Sequence, residues 1–240
     1  MPHTSRWLLV SDVDDTLLGD DDTLSRLAAA LQIASNLIIA YNSSRPCASL
    51  RQTLATNPHL PLPDYLIGAM GTEIQEGASG RPVTAYTHRL SQGWSRDRIA
   101  AIMADMNFKA HAQEYQTPLK ASYDIPDEES SHRVWRRLDE AGLKAKVIFS
   151  GGKNLDIIPA AAGKGRAVAY LHRLLDLAAG RVVVAGDSGN DLEMFVAPYK
   201  GIIVANAAPK LKELQGDHLY HARLPHAGGV LEGLRWWQVL

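Results

Sequence analysis

Two aspartates, placed two residues apart, follow an apolar stretch near the start of the chain. Residues 7–10 are apolar, and Asp12 and Asp14 come just after Ser11. Alternate side chains of an extended backbone leave on the same side, so both carboxylates would point the same way. Two like charges this close repel unless a cation or a shared proton relieves them. The pattern indicates either a catalytic or metal-binding pair or, more simply, a solvated acidic turn.

Further polar side chains follow apolar stretches or begin predicted helices. They are Ser43 and Ser44, Lys164, and Asp187 with Asp191. The carboxyl ends of parallel strands meet at one edge of a sheet, so these groups can converge with Asp12 and Asp14. Three or four carboxylates would bind a hard cation such as Mg²⁺. The lysine, the hydroxyls and helix amides would suit a phosphate dianion.

This set of groups favours transfer of a phosphoryl group to a carboxylate. Asp12 would attack phosphorus and form an aspartyl-phosphate. Asp14 would protonate the leaving oxygen and then take a proton from the water that hydrolyses the intermediate. The cation and Lys164 would neutralise charge on the transferring group.

Each group also has a structural explanation when it is taken singly. The two serines could cap a helix that begins at Pro46, and Lys164 could be a solvated lysine in a first helical turn. Two nucleotide-binding motifs, the P-loop and the dinucleotide-binding fold, are excluded. The lysine is not followed by Ser or Thr as in a P-loop, and the first strand ends in carboxylates where a dinucleotide fold has glycines.

The chain pattern predicts an α/β fold with a parallel sheet that positions these groups. We expect strands at 7–13, 37–41, 65–69, 181–185 and 201–204, and helices at 24–34 (capped by Thr23), 46–55, 164–177 and 231–237. Strands alternating with helices imply right-handed crossovers between parallel strands.

The middle of the chain differs from its ends and predicts an inserted α+β domain. Glycines at 77 and 80 mark a flexible boundary. We expect helices at 98–106 and 131–141 and strands at 121–125, 144–150 and 154–158. The predicted division is a core of residues 1–77 and 161–240, with an inserted domain of residues 78–160.

Composition limits the classes of partner and compartment. The net charge of −1 over 240 residues gives no electrostatic footprint for nucleic acid or an anionic membrane. Cys47 is the single cysteine, which excludes an internal disulfide and fits a reducing compartment. No apolar run is long enough to span a bilayer. We expect a cytoplasmic monomer that binds neither nucleic acid nor membrane.

These motifs resemble those of the haloacid dehalogenase (HAD) superfamily phosphatases. The matching segments are Asp12-Val13-Asp14-Asp15-Thr16, Ser43, Lys164 and Gly186-Asp187-Ser188-Gly189-Asn190-Asp191. The resemblance implies an HAD-like Rossmannoid core in which Asp12 is the nucleophile and Asp14 the acid and base. It implies Mg²⁺ bound by Asp12, Asp14, Asp187 and Asp191, and phosphate bound by Ser43, Ser44, Lys164 and Asn190. The insert stands where the family carries its larger, C2-type cap.

The whole chain is similar to a narrower group, the sucrose-phosphate phosphatases. The supporting segments are Ala40-Tyr41 with Ser43 and Arg45, Gly71-Thr72-Glu73-Ile74, Lys120-Ala121-Ser122-Tyr123, Ser150-Gly151-Gly152-Lys153 with Asp156, and His226-Ala227-Gly228. The implied sugar contacts are Arg45, Gly71, Thr72, Glu73, Lys120, Ser122, Tyr123, Lys153 and Asp156. One departure is Ser44, which stands where this group usually has glycine.

The resemblance implies Mg²⁺-dependent hydrolysis of a disaccharide phosphate such as sucrose 6-phosphate. Other glycosyl phosphates stay open as substrates, among them mannosyl-3-phosphoglycerate, trehalose 6-phosphate and glucosylglycerol phosphate. A non-enzymatic alternative is a sugar-phosphate-binding module that docks with a sucrose-phosphate synthase.

Overall fold

The computed structural model describes residues 6–240 and contains two β-sheets. The strands in chain order are β1 (Trp7–Ser11), β2 (Leu37–Asn42), β3 (Tyr65–Gly68), β4 (Glu73–Glu76), β5 (Lys109–Ala110), β6 (Ala121–Asp124), β7 (Ala145–Ser150), β8 (Asn154–Pro159), β9 (Val182–Gly186), β10 (Lys200–Ile203) and β11 (Leu219–His221). The α-helices are α1 (Asp21–Ile33), α2 (Cys47–Thr56), α3 (Thr84–Ser91), α4 (Arg96–Asp105), α5 (Glu128–Glu140), α6 (Lys164–Leu174), α7 (Pro209–Lys212) and α8 (His226–Trp236).

The large sheet places β1 at the point where the strand order reverses. Its order is β11-β10-β9-β1-β2-β3-β4, and every neighbouring pair is parallel except β3 with β4. The last residue of β1, Ser11, lies opposite Tyr41 of β2 and Ala185 of β9. The residues that follow these three strands therefore leave the sheet at one edge, in the crevice where α/β folds bind ligands. The expected α/β class with a parallel sheet is confirmed.

Burial explains why the sequences of β1 and β9 are almost continuously apolar. Val182, Val183 and Val184 are fully buried, as are Leu8 and Val10. Central strands of a sheet covered on both faces have no solvent side, so they do not alternate between polar and apolar residues. A single large cluster of apolar side chains surrounds this sheet.

Several predicted element boundaries are corrected by the structure. Helix α1 begins at Asp21, because the carboxylate of Asp20 accepts a hydrogen bond from the Thr23 amide at 3.1 Å and caps the helix. Helix α8 begins at His226 rather than at 231. The sequence analysis missed α3, α7, β4, β5 and β11, which are two to eight residues long.

The second sheet lies within the predicted insert and has one apolar face. Its order is β5-β6-β8-β7, with all neighbours antiparallel. Ile99 of α4 and Val134 of α5 belong to a separate apolar cluster with Leu155 and Ile157 of β8. Asp156 lies between those two residues and takes the opposite face, as alternation along a strand requires. Below, this sheet with α4 and α5 is called the cap sheet.

Helix α3 belongs to the predicted insert by position, yet it packs on the large sheet. Tyr86 and Leu90 of α3 are buried in the large apolar cluster, and the Tyr86 hydroxyl donates to the Gly71 carbonyl at 2.6 Å. The division into a core of residues 1–77 and 161–240 and an insert of residues 78–160 remains a prediction. In the described part of the chain, no helix is long and apolar enough to cross a membrane.

Candidate active site

Lys164 joins the ends of two strands through its ammonium group. Its Nζ lies 2.7 Å from Oδ1 of Asp12, which follows β1, and 2.6 Å from Oδ1 of Asp191, which follows β9. The lysine is 1% exposed, and both carboxylates are buried. A buried cation between two carboxylates is held by charge-assisted hydrogen bonds, so the three groups are fixed relative to one another.

The loop after β9 is organised around the Asp191 carboxylate. Its Oδ2 accepts hydrogen bonds from the backbone amides of Asp187 and Ser188, both at 3.1 Å. The bond from the Ser188 amide, together with the Ser188 side chain that accepts from the Asp191 amide, forms the capping box of a short 3₁₀ turn, Gly189–Met194. Asp187 receives a further bond from the Thr16 hydroxyl at 3.1 Å, which connects this loop to the loop after β1.

Burial and mutual repulsion raise the proton affinity of the acidic groups. Burial raises the pKa of Asp187 to about 6, and the negative charge of Asp191 adds to this shift. Burial also raises the pKa of Asp12 above its ordinary value, against the opposing effect of Lys164. For Lys164 burial acts to lower the pKa, but Asp12 and Asp191 outweigh it, so the lysine stays charged.

The carboxylates of Asp12, Asp187 and Asp191 form a donor set that fits a divalent cation. Below, these three residues are called the acidic cluster. One oxygen from each residue lies within 4.8 Å of the other two. Within residues 6–240, Lys164 is the one cation that forms a salt bridge with these three carboxylates, so the group carries excess negative charge. Burial is the main cause of the raised pKa values of Asp12 and Asp187, and the charge of Asp191 adds to both shifts. Hard oxygen ligands of this kind suit Mg²⁺. Three of the four predicted metal ligands are therefore brought together.

The Asp14 carboxylate lies outside this group and pairs with Arg45. The guanidinium of Arg45 donates from Nε and a terminal nitrogen to the two oxygens of Asp14, at 2.8 and 2.9 Å. The same guanidinium donates to the Thr53 hydroxyl of α2 at 2.8 Å. This arrangement corrects one expectation, since the Asp14 side chain does not join the acidic cluster. Arg45, a predicted sugar contact, lines the cavity described below while it is paired with Asp14.

The predicted phosphate-binding residues occupy the neighbouring loop ends. Ser43 is buried after β2, and its hydroxyl accepts from the Arg45 amide at 3.1 Å. Ser44 is part-buried and does not have a left-handed backbone, so this position does not require the glycine of the related group. In the loop after β9, Oδ1 of Asn190 is buried and has no hydrogen-bond partner within residues 6–240.

A cavity of about 510 Å³ opens between this loop region and the cap sheet. Its lining residues are Ser44, Arg45, Lys109, Ala110, His111, Ala112, Tyr115, Lys120, Asp124, Ser150, Lys153, Asn154 and Asp156. The lining is dominated by charged and polar side chains. Such a lining is suited to a ligand with many hydroxyl groups, which needs directional donors and acceptors.

Lys120 and Asp156 are buried polar residues of the cavity wall, and Ser122 is a buried neighbour that contacts Asp156 without lining the cavity. Oδ1 of Asp156 lies 3.0 Å from the Lys120 ammonium and accepts from the Ser122 hydroxyl at 2.6 Å. Ser122 and Asp156 are directly opposite each other on β6 and β8. Below, these three residues are called the cap triad. All three were predicted sugar contacts, and the exposed Lys153 joins them at the rim.

Four other predicted sugar contacts lie elsewhere. Tyr123 is next to Ser122 on β6 and therefore points to the opposite face, where it is buried in the cap's apolar cluster. Gly71 packs against the backbone of Gly163 with a positive φ of 78°, where a Cβ would clash. Thr72 bonds to a backbone carbonyl, and the Glu73 carboxylate accepts from the Cys47 amide at the start of α2. None of the four lines the 510 Å³ cavity.

Comparison with known proteins agrees with this geometry. The model of the sucrose-6F-phosphate phosphohydrolase family matches residues 5–238. The chain belongs to this family. Mannosylfructose-phosphate phosphatase of Agrobacterium fabrum is 35% identical over 96% of each chain. Sucrose-phosphatase 1 of Nicotiana tabacum is 31% identical over 98% of this chain, which spans 60% of that longer protein.

A solved structure extends the similarity to the fold. The sucrose-phosphatase of Synechocystis sp. PCC6803, solved in complex with sucrose and phosphate, is 32% identical and matches with a TM-score of 0.89. The match covers 98% of this chain and 99% of that one. HAD-like hydrolases at 16–19% identity, such as yhjK of Bacillus subtilis with a TM-score of 0.72, share the fold. The chain is a phosphatase that hydrolyses phosphate monoesters.

Several residues that shape this candidate site were not found from the sequence. Thr16 connects two loops, and Asn42 donates to the Lys164 carbonyl at 3.1 Å from the end of β2. His111 lies 3.2 Å from Asp124 at the cavity rim. Asn42 precedes the predicted Ser43 and could have been found as a polar strand end. His111 follows a two-residue strand that carries no usable pattern.

Proposed function

We propose that this chain is an Mg²⁺-dependent phosphatase that releases phosphate from sucrose 6-phosphate. The observation that carries this proposal is the match of the sucrose-6F-phosphate phosphohydrolase family over residues 5–238. The neighbour solved with sucrose and phosphate, which aligns over nearly the whole of both chains, supports the same substrate.

In this proposal Asp12 is the nucleophile. Its Oδ1 is held by Lys164, and its Oδ2 has no hydrogen bond from any described residue, which leaves that oxygen free to attack. Attack forms a bond from the carboxylate oxygen to phosphorus and breaks the ester bond to the sugar. Lys164 stabilises the negative charge on the reacting groups without moving, because two carboxylates already hold it.

Asp14 would move the protons in both steps. It donates a proton to the departing sugar oxygen, and it later accepts one from the water that cleaves the aspartyl-phosphate. Asp14 is half exposed and is held by Arg45, whose side chain also lines the cavity. An arriving sugar phosphate would therefore meet Arg45 and Asp14 together at the junction of the cavity and the acidic cluster.

Asp12, Asp187 and Asp191 would hold the Mg²⁺ ion. When bound, the ion would neutralise charge on the attacking carboxylate and on the transferring phosphoryl group. The carboxylates suit this purpose because their oxygens converge within 4.8 Å and their excess negative charge is otherwise only partly balanced by Lys164.

The cap triad would bind the sugar unit that does not carry the phosphate. Asp156 can accept from sugar hydroxyls, while Lys120 and Ser122 fix the direction of its carboxylate. A buried, prearranged acceptor discriminates strongly, because a ligand that lacks the matching hydroxyl leaves it unpaired. Substrate choice would therefore reside in the cap sheet, at a distance from the bond that is broken.

Mannosylfructose phosphate is the second candidate substrate. It is favoured by the 35% identity, over 96% of each chain, to a phosphatase named for that compound. Both candidates join an aldohexose to a fructose unit. The aldohexose is glucose in one and mannose in the other. The orientation of one hydroxyl would then decide between them.

The test is phosphate release with and without Mg²⁺ from four compounds: sucrose 6F-phosphate, mannosylfructose phosphate, fructose 6-phosphate and glucose 6-phosphate. We expect Mg²⁺-dependent release with the highest kcat/KM for sucrose 6F-phosphate. A higher value for mannosylfructose phosphate would select the second candidate. Equal values for fructose 6-phosphate and the disaccharides would overturn the disaccharide assignment. Failure with all four would redirect the search to other glycosyl phosphates or to a binding role beside a synthase.

A further inference from the structure

A second cavity, remote in the fold from the cap triad, is surrounded by arginines. It has a volume of about 240 Å³ and lies between α3 and α6. Arg89 comes from α3, and Arg166 and Arg173 come from α6, seven residues apart and so on one face of the helix. The other lining residues are Tyr86, Leu90, Ala161, Ala169 and Tyr170. Among residues 6–240, no carboxylate lines this cavity.

The three guanidinium groups have no partner in the described structure. Within residues 6–240, none of Arg89, Arg166 and Arg173 forms a salt bridge or a side-chain hydrogen bond. Glu193, the acidic residue whose charge reaches Tyr86, is paired with Lys146 at 2.6 Å. All three arginines are exposed, so solvent screens much of the repulsion among them. A multivalent anion that contacts all three would relieve the remaining repulsion.

The partial charges at the helix ends favour the positions of only two of these three arginines. Arg89 and Arg173 lie in the last turns of their helices, where the partial negative charge of the carbonyls favours a cation. Arg166 lies in the first turn of α6, where the partial positive charge disfavours it. An anion in the cavity would compensate for this unfavourable position of Arg166.

Two packed tyrosine rings line the cavity, and one of them offers a neutral donor. The rings of Tyr86 and Tyr170 pack with centroids 4.6 Å apart, and the Tyr86 hydroxyl is already bonded to Gly71. The Tyr170 hydroxyl has no partner in the part of the chain that the structure describes, so it can donate to a ligand. Planar guanidinium groups bind phosphate oxygens in a bidentate manner, and arginine is the preferred residue for that purpose.

We propose that Arg89, Arg166 and Arg173 form a second anion site, which binds a small multivalent phosphate such as pyrophosphate or an organic phosphate. This site is separate from the cleavage of the substrate. It adjoins Ala161, three residues before Lys164, so the ligand would tie α3 to the segment that leads into the catalytic lysine.

The test is calorimetric titration of pyrophosphate into the full chain in Mg²⁺-free buffer. The test variant carries Arg89→Gln, Arg166→Gln and Arg173→Gln. The matched control carries Arg26→Gln, Arg136→Gln and Arg235→Gln. It removes three exposed arginines that form no salt bridge within residues 6–240, so both variants lose the same charge. We expect the dissociation constant of one binding site to rise at least about tenfold in the test variant. The control should stay within about twofold of the wild type.

Three outcomes would overturn the site. They are wild-type affinity in the test variant, equal losses in both triple variants, and absence of pyrophosphate binding to the wild type. Circular dichroism checks the fold of each variant, and the single variant Arg166→Gln, with an expected loss of about threefold or more, serves if the triple variant does not fold. Inorganic phosphate in a second titration distinguishes a site for free phosphate from one that needs two phosphoryl groups.

Discussion

The acidic cluster and the cap triad use the same types of residue in opposite ways. In both, a buried lysine contacts a buried aspartate, Lys164 with Asp12 and Lys120 with Asp156. In the cluster, Lys164 serves two carboxylates that come from different strand ends of the large sheet. In the cap triad, one lysine and one hydroxyl converge on a single carboxylate from neighbouring strands.

Because of this difference, the acidic cluster suits the chemical step and the cap triad suits recognition of the sugar. The cluster has a surplus of negative charge, which prepares it for a cation and a phosphoryl group. The cap triad is balanced, so its carboxylate is oriented for hydrogen bonding without further reaction. The following experiments test that separation, and they run from the largest expected effect to the smallest.

Replacing the nucleophile should abolish turnover without loss of the fold. Asp12→Asn keeps the shape of the side chain but removes the attacking oxygen, so we expect kcat to fall at least about a thousandfold. Phosphate release in Mg²⁺ buffer measures this. The thermal midpoint should change little. Residual kcat above a tenth of the wild-type value would contradict an aspartyl-phosphate intermediate.

Removing the buried lysine should destabilise the protein strongly. Lys164→Met leaves Asp12 and Asp191 facing each other without a cation, and breaking a buried pair in this way costs about 3–5 kcal/mol. Urea unfolding in Mg²⁺-free buffer measures the loss. The matched control is Lys146→Met, which removes a partly exposed pair with Glu193 and should cost about 0–1 kcal/mol. Equal losses in the two variants would refute the view that the cluster depends on Lys164.

Changing the cap triad should weaken binding of the sugar and leave the chemical step unchanged. Asp156→Asn leaves Lys120 unpaired and weakens the acceptor, so we expect KM for the disaccharide phosphate to rise about tenfold or more. Turnover of p-nitrophenyl phosphate, which has no sugar, should stay within about twofold. Asp139→Asn on the exposed face of α5 is the control, and it should alter neither quantity. Parallel losses on both substrates would show that the cap triad also supports the reacting groups.

The acidic cluster should bind Mg²⁺ more weakly as the pH falls. The pKa of Asp187 is raised to about 6 and that of Asp12 is also raised, so both carboxylates take up protons as the pH decreases through this range. A proton must leave before the metal binds, and affinity should be at least about tenfold lower at pH 5 than at pH 8. Calorimetry at the two pH values measures the difference. Unchanged affinity would argue against this donor set.

The smallest effect is expected at Tyr123. Its ring packs in the cap's apolar cluster and makes no side-chain hydrogen bond in the described structure, so Tyr123→Phe should change KM by less than about twofold. The assay is the disaccharide titration used for Asp156. A tenfold increase in KM would instead place this hydroxyl in contact with the sugar and would revise the division between the two faces of β6.

The core of the protein was largely predictable because its signals are local. Apolar strands followed by Asp12 and by Asp187 predict two strand ends at the same edge of a parallel sheet. The structure shows that these two strands are neighbours. Helix α6 begins at Lys164 as expected. The short elements β5 and α7 have two and four residues, which is too few for periodicity to show.

The cap was less predictable because its residues were inferred by resemblance rather than by position on a face. Ser122 and Tyr123 are adjacent on one strand and cannot both line the cavity. Strand alternation alone would have removed Tyr123 from the sugar contacts. Glu73 could not be excluded in this way, because its bond to the Cys47 amide joins two segments that are 26 residues apart.

The amino-acid pattern predicts the α/β class, the edge of the sheet that carries the acidic groups, and the residues able to react there. These predictions follow from local patterns, since the apolar strands and their alternation with helices can be recognised without knowledge of distant contacts. The pairing of charges depends on the packed structure. That structure joins Asp14 to Arg45, Lys164 to Asp191 and Lys120 to Asp156, because partners that are 27 to 36 residues apart meet only once both sheets are packed.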